Sequence, residues 1–154
     1  MKKWVLALLF SGGCYVAAAQ FVAVMEIKDS DSITGLCNRK KVYVLLPMFK
    51  GQEEAVCPVT NTAIRERLNQ EVEYLKTNPN YSDKGMVNIV VNCKGEVVKV
   101  RIDNKTKSEE LDAQVLAVFN SLGGIWKAGK LNGENVDSSR LWSFEIKKGK
   151  ILLE

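Results

Sequence analysis

Histidine is absent from this chain of 154 residues. That one absence removes the Ser-His-Asp triad, the Cys-His dyad, the histidine metal site and the imidazole pH switch. Proline is scarce, at three residues, so there is no long proline-rich spacer. Neither sign of charge dominates. The 22 Lys and Arg against 18 Asp and Glu leave +4, too little to argue for nucleic acid or an anionic membrane surface. The longest apolar stretch, Trp4 to Ala19, is interrupted by Gly12-Gly13 and falls short of the roughly 20 residues of a membrane span. No internal repeat, glycine-rich phosphate loop or metal-ligand spacing is present.

What is present is ordinary for a single globular domain: 46% hydrophobic and 26% charged residues, in a length that supports one hydrophobic core. For catalysis, Cys93 is the only conspicuous nucleophile, and no histidine serves as its base. The acidic pairs Glu53-Glu54 and Glu109-Glu110 are sequence neighbours, which point to different sides of an element. The residues therefore read as non-enzymatic, with no cofactor, no metal and no small-molecule substrate.

Residues 1–19 read as a cleaved secretory signal. Lys2 and Lys3 precede an apolar run, and Ala17 and Ala19 supply the small residues before the cut. An uncleaved membrane anchor and lipid attachment at Cys14 are the competing readings. Export implies a periplasmic location and an oxidising compartment, in which Cys37, Cys57 and Cys93 allow one disulfide. Cys37 with Cys57 is the expected pair, because the shortest loop closes at the least entropic cost. Three unpaired buried thiols are the other reading.

Periodicity orders the rest. Phe21–Ile27 and Val42–Leu46 read as strands, the second stopped by Pro47. A helix capped by Thr60 carries Ile64, Leu68, Val72 and Leu75 on one stripe. Val87, Ile89 and Val91, then a turn at Lys94-Gly95, then Val98, Val100 and Ile102 read as a hairpin with one apolar face. A second helix starts after Thr106 or Ser108, with Thr106-x-x-Glu109 fitting a capping box and Leu111, Val115, Val118, Phe119 and Leu122 as its stripe. A loop with Asn132-Gly133 leads to a strand whose Trp142, Phe144 and Ile146 share one face. The expectation is an α+β fold of two layers: an antiparallel sheet with one face covered by two helices and the other solvated.

Several of these segments together resemble the TonB C-terminal domain, in its Bacteroidetes-type form without the proline-rich spacer. They are the hairpin Val87-Asn-Ile-Val-Val-Asn-Cys-Lys-Gly-Glu-Val-Val-Lys-Val, the helix with Leu111-Asp112, the segment Trp126-Lys-Ala-Gly-Lys-Leu-Asn-Gly133, and the closing Trp142-Ser-Phe-Glu-Ile. Leu46-Pro-Met-Phe-Lys-Gly-Gln-Glu-Glu-Ala55 is similar to that family's entry segment. With the signal read over 1–19, the likeness implies a TonB-like domain over 44–154, which leaves 20–43 as an N-terminal extension.

It also implies binding of a protein or extended peptide, and a link to TonB-dependent outer-membrane transport. In that mode a peptide adds to an edge strand. The implied edge is the last strand, with Ser139, Leu141, Ser143, Glu145 and Lys147 on the binding side. Lys150–Glu154, turned back, would cover that edge. The alternatives are an envelope structural protein that reuses the fold, or an uncleaved, membrane-anchored energy transducer.

Overall fold

The computed structural model describes residues 21–26 and 33–153. The signal and lipidation expectations at 1–19 lie outside the described residues. Among those described, no helix is long and apolar enough to cross a membrane.

In chain order the elements are β1 (Ala23–Glu26), β2 (Lys41–Val44), β3 (Gln52–Glu53), α1 (Asn61–Glu71), α2 (Glu73–Thr77), β4 (Asp83–Val91) and β5 (Val97–Asn104). There follow α3 (Glu109–Asn120), β6 (Gly129–Leu131), β7 (Glu134–Val136), β8 (Ser138–Lys147) and β9 (Lys150–Leu153). A six-stranded sheet has the order β1-β2-β8-β4-β5, with β9 also on β8, and a three-stranded sheet has the order β3-β6-β7. The α+β, two-layer expectation holds.

The expected hairpin of β4 and β5 forms, with Val87 opposite Ile102 and Ile89 opposite Val100. A register shift next to the turn pairs Val91 with Val97, so Val98 leaves the expected apolar face and meets Gly35. Its turn is built by Asn92, whose side-chain oxygen accepts the N–H groups of Lys94 and Glu96 at 2.9 Å each. Gly95 sits at φ +84°, and a Cβ there would lie 2.1 Å from the Trp126 carbonyl oxygen. Only glycine satisfies both the left-handed backbone and that approach. Gly85 answers a different need. An added Cβ would meet the Phe144 ring at 2.3 Å, so its missing side chain is what lets Phe144 lie over β4.

The helices cover the sheet face that carries Val87, Ile89, Val91, Trp142, Phe144 and Ile146, all buried. Thr60 caps α1 as expected, its hydroxyl accepting the Ala63 N–H at 3.2 Å. The expected single stripe is real but the helix is not continuous. Val72 is extended (φ −82°, ψ 95°), and the orphaned Tyr74 N–H donates to the Gln114 side chain of α3 at 2.9 Å. The break lets both Val72 and Leu75 stay buried. At α3 the cap is Ser108, which accepts from Leu111 N at 3.2 Å. Thr106 instead donates its hydroxyl to Asp112, at 2.8 Å. The expected capping box is replaced by this pair.

Two features of the sheet differ from the expectation. The β2–β8 pairing is parallel, with Tyr43 opposite Ser138 and Val44 opposite Ser139. The face away from the helices is also not wholly solvated, since Val42, Asn88, Val90 and Ser139 on it are buried. The residue around Gly35 supplies part of the cover. A Cβ on Gly35 would touch Val98 at 2.9 Å, and the Gly35 carbonyl accepts from Asn92.

The start of β4 is fastened to the loop before α3 by Asp83. Its carboxylate accepts Lys107 N at 2.8 Å, Lys84 N at 2.9 Å and the Tyr81 hydroxyl at 2.8 Å. Partial burial works against the charge, but these donors outweigh it and hold the carboxyl below its ordinary range. A depressed folded value means stability that is present above the unfolded aspartate's pKa, about 4, and lost as pH falls through the folded one. Urea midpoints measured from pH 5 to pH 2 are expected to fall less steeply in Asp83→Asn than in the parent.

Candidate functional site

Along β8 the side chains alternate as the sequence suggests. Trp142, Phe144 and Ile146 face the helices, while Ser139, Leu141, Ser143, Glu145 and Lys147 lie on the other face. The five do not form one exposed row. Ser139 is buried and donates to the Asn88 side-chain oxygen at 2.8 Å. Leu141 is 44% exposed, an unusual state for leucine in a central strand. Glu145 is clasped by Lys147 at 2.6 Å and Lys84 at 3.4 Å, and the hydrogen bond from Lys147 holds its carboxyl below the usual range.

The larger correction concerns the edge. β8 is not an edge strand: β4 pairs it along its whole length on one side. On the other side β2 pairs with Ser138 and Ser139, and β9 pairs with Phe144 to Lys147. The turn at Lys148-Gly149, with φ of 49° and 70°, brings β9 back over the strand. Only Arg140–Ser143 has no partner strand there among the described residues.

The backbone groups facing this notch follow from β9. The Asn69 side chain of α1 accepts the Ile151 N–H and donates to the Ile151 carbonyl, both at 2.9 Å. Ile151 therefore points away from β8, and its neighbours Lys150 and Leu152 make the ladder to Lys147 and Glu145. By the same alternation, Leu141 and Ser143 turn their N–H and C=O into the notch. Arg140 flanks it from the helix side, with its guanidinium 4.1 Å from the Trp142 ring centroid and one N–H on the Ala55 carbonyl at 2.8 Å.

No family model, curated protein or solved structure matches this chain.

The disulfide is another correction. Cys37 bonds Cys93, across 56 residues of sequence, and Cys57 is free. The loop-closure argument favoured Cys57, but what decides the pairing is which thiols the folded backbone brings together. Asp137 does this. Its buried carboxylate accepts the N–H groups of Cys37, Asn38 and Cys93 at 3.1, 2.5 and 2.9 Å, gathering both cysteine backbones at the start of β8. The sulfurs and this carboxylate form a compact cluster, but the sulfurs are bonded to each other and both oxygens accept backbone donors, so its role is structural. Sequence reading passed over Asp137. Its only signal was a carboxylate beside Ser138-Ser139 at the head of a strand.

The remaining candidates take structural places. Cys93 is locked in the bridge. Burial pushes the Cys57 thiol up, against the opposing pull of the Val59 N–H and Arg140, which disfavours the thiolate a nucleophile needs. Trp126 is buried, edge-on to Trp142 at 5.5 Å. Arg101 of β5 is paired with Asp103 at 3.3 Å.

Proposed function

We propose that this chain is a non-enzymatic binding module of the TonB C-terminal type, exported to the periplasm, which takes an extended protein segment by strand addition at Arg140–Ser143. The observation that carries the reading is the interruption of pairing on β8 between Ser139 and Phe144. The chain order of α1, β4, β5, α3 and β8, with β4 between β8 and β5 in the sheet, supports the resemblance. An extended segment of an outer-membrane transporter is the occupant that the resemblance implies.

The notch is short, which bounds the affinity. The N–H and C=O of Leu141 and Ser143 supply four hydrogen bonds, each contributing about 1 kcal/mol. That alone corresponds to roughly millimolar binding. Micromolar affinity then requires side-chain contacts, for which exposed Leu141 is the available surface. The closure of most of the edge by β2 and β9 favours a second reading, an envelope protein that reuses the fold and binds no transporter.

The two readings separate in an NMR titration with an extended transporter segment. Amide shifts at Arg140–Ser143 are expected in the parent. In Leu141→Pro, which removes a donor facing the notch but none of the β4 ladder bonds, binding is expected to weaken at least about tenfold, the factor for about 1.4 kcal/mol. A parent that shows no shifts there would leave the envelope reading standing.

A further inference from the structure

On the far side of β9 from the notch, α1, α2 and β9 enclose an open groove of about 480 Å³. Its apolar lining is the buried Leu75 and Ile151 and the exposed Leu152, and three cations, Arg65, Lys76 and Lys150, complete it. Lys76 is paired with Glu73 at 2.6 Å. Arg65 and Lys150, both exposed, have no carboxylate within ion-pair distance among the described residues.

The backbone here is closed to strand addition. Asn69 occupies both the N–H and the C=O of Ile151, as a neighbouring strand would. Recognition in this groove must therefore work through side-chain charge and apolar contact. Opposite potentials across a contact steer and orient a partner, and the uncompensated charge here is positive.

We propose that this groove binds an acidic peptide segment of a partner protein. Its carboxylates meet Arg65 and Lys150, and an apolar side chain rests on Leu152, the exposed apolar residue of the lining. The same cations do not describe a membrane face. A helix that lies on lipid turns its apolar stripe outward, and the α1 stripe, Ile64 and Leu68, is fully buried against the sheet. Nor do they describe an enclosed small-anion site, because the groove is open and the Asn69 amide, the one neutral side-chain donor in the lining, is already engaged.

The test is an NMR titration of the full chain at low salt with an end-blocked peptide of alternating Glu and Leu. Shifts are expected at Arg65, Asn69, Lys76 and Gly149–Leu152. Each surface ion pair is weak, so Arg65→Ala/Lys150→Ala is expected to reduce affinity about tenfold, as is replacing every Glu of the peptide by Gln. Salt at about 0.5 M should produce a similar loss, since the Debye length then falls well below the 10 Å of 0.1 M. Leu141→Pro should leave this binding unchanged, which separates it from strand addition at the notch. The proposal is overturned by an absence of saturable shifts, by shifts centred on Leu141–Ser143, or by equal affinity for the Gln peptide. Binding to phosphatidylglycerol vesicles without any response to the peptide would overturn it as well.

Discussion

Replacing both Cys37 and Cys93 by serine is expected to lower the stability of this protein by about 4 kcal/mol. The bridge spans 56 residues. In the chain-entropy account a cross-link of that length removes about 14 cal/mol/K from the unfolded ensemble, or about 4 kcal/mol at 25 °C. The bridge also connects two segments that pack on each other. One is the stretch around Gly35 that covers Val98, and the other is the turn built by Asn92. Urea unfolding under oxidising and reducing conditions measures the effect. The midpoint should fall in the parent on reduction and stay constant in the double serine variant. Cys57→Ser serves as the control: its thiol is only half-buried at the margin of the core and accepts one weak hydrogen bond, from Val59 N at 3.4 Å, so the change should be within about 1 kcal/mol.

The second large effect is expected at Asp137. Its carboxylate is 2% exposed and accepts three backbone N–H groups. Asp137→Ala strands those donors. Each stranded donor costs about 1–3 kcal/mol when fully buried, but Cys37 and Asn38 are exposed enough to be rehydrated, which brings the expected total to about 2–4 kcal/mol. Asp137→Asn keeps one acceptor oxygen and turns an amide donor toward another donor, so an intermediate loss is expected. Combining Asp137→Ala with the double serine change should destabilise by less than the sum, because both act on one loop and share its ordering. A sum that is fully additive would mean that Asp137 does not organise the bridge.

How much of this was legible in the sequence depended on the range over which each feature is decided. The hairpin, the Thr60 cap and the inward face of β8 are set by residues within a few positions of one another, and period-two and period-3.6 patterns report them directly. The break at Val72 is invisible to that pattern, because the apolar spacing continues through it. It depends on Gln114, which lies 40 positions from Tyr74 in sequence. The disulfide was misread for a related reason. Loop-closure entropy ranks pairings in an unfolded chain, whereas Asp137 and the parallel β2–β8 ladder select one in the folded chain. The site residues were placed on the correct face of β8, and the covering of its edge by the turned-back Lys150–Leu153 was legible too. The position of β2, which covers the other end, is encoded by no local pattern.

The strand with the most neighbours has a consequence for synthesis. β8 pairs with β4, β2 and β9, yet it occupies Ser138–Lys147, so it leaves the ribosome after all but one of the elements it joins. Until then the apolar face of β4, Val87, Ile89 and Val91, lacks the strand that is to lie beside it. Because β2 joins β8 across most of the chain, that pairing closes late and slowly. The nascent chain thus carries an open, sticky hairpin from the completion of β5 until β8 arrives, and its yield of native protein depends on what shields that hairpin in the interval.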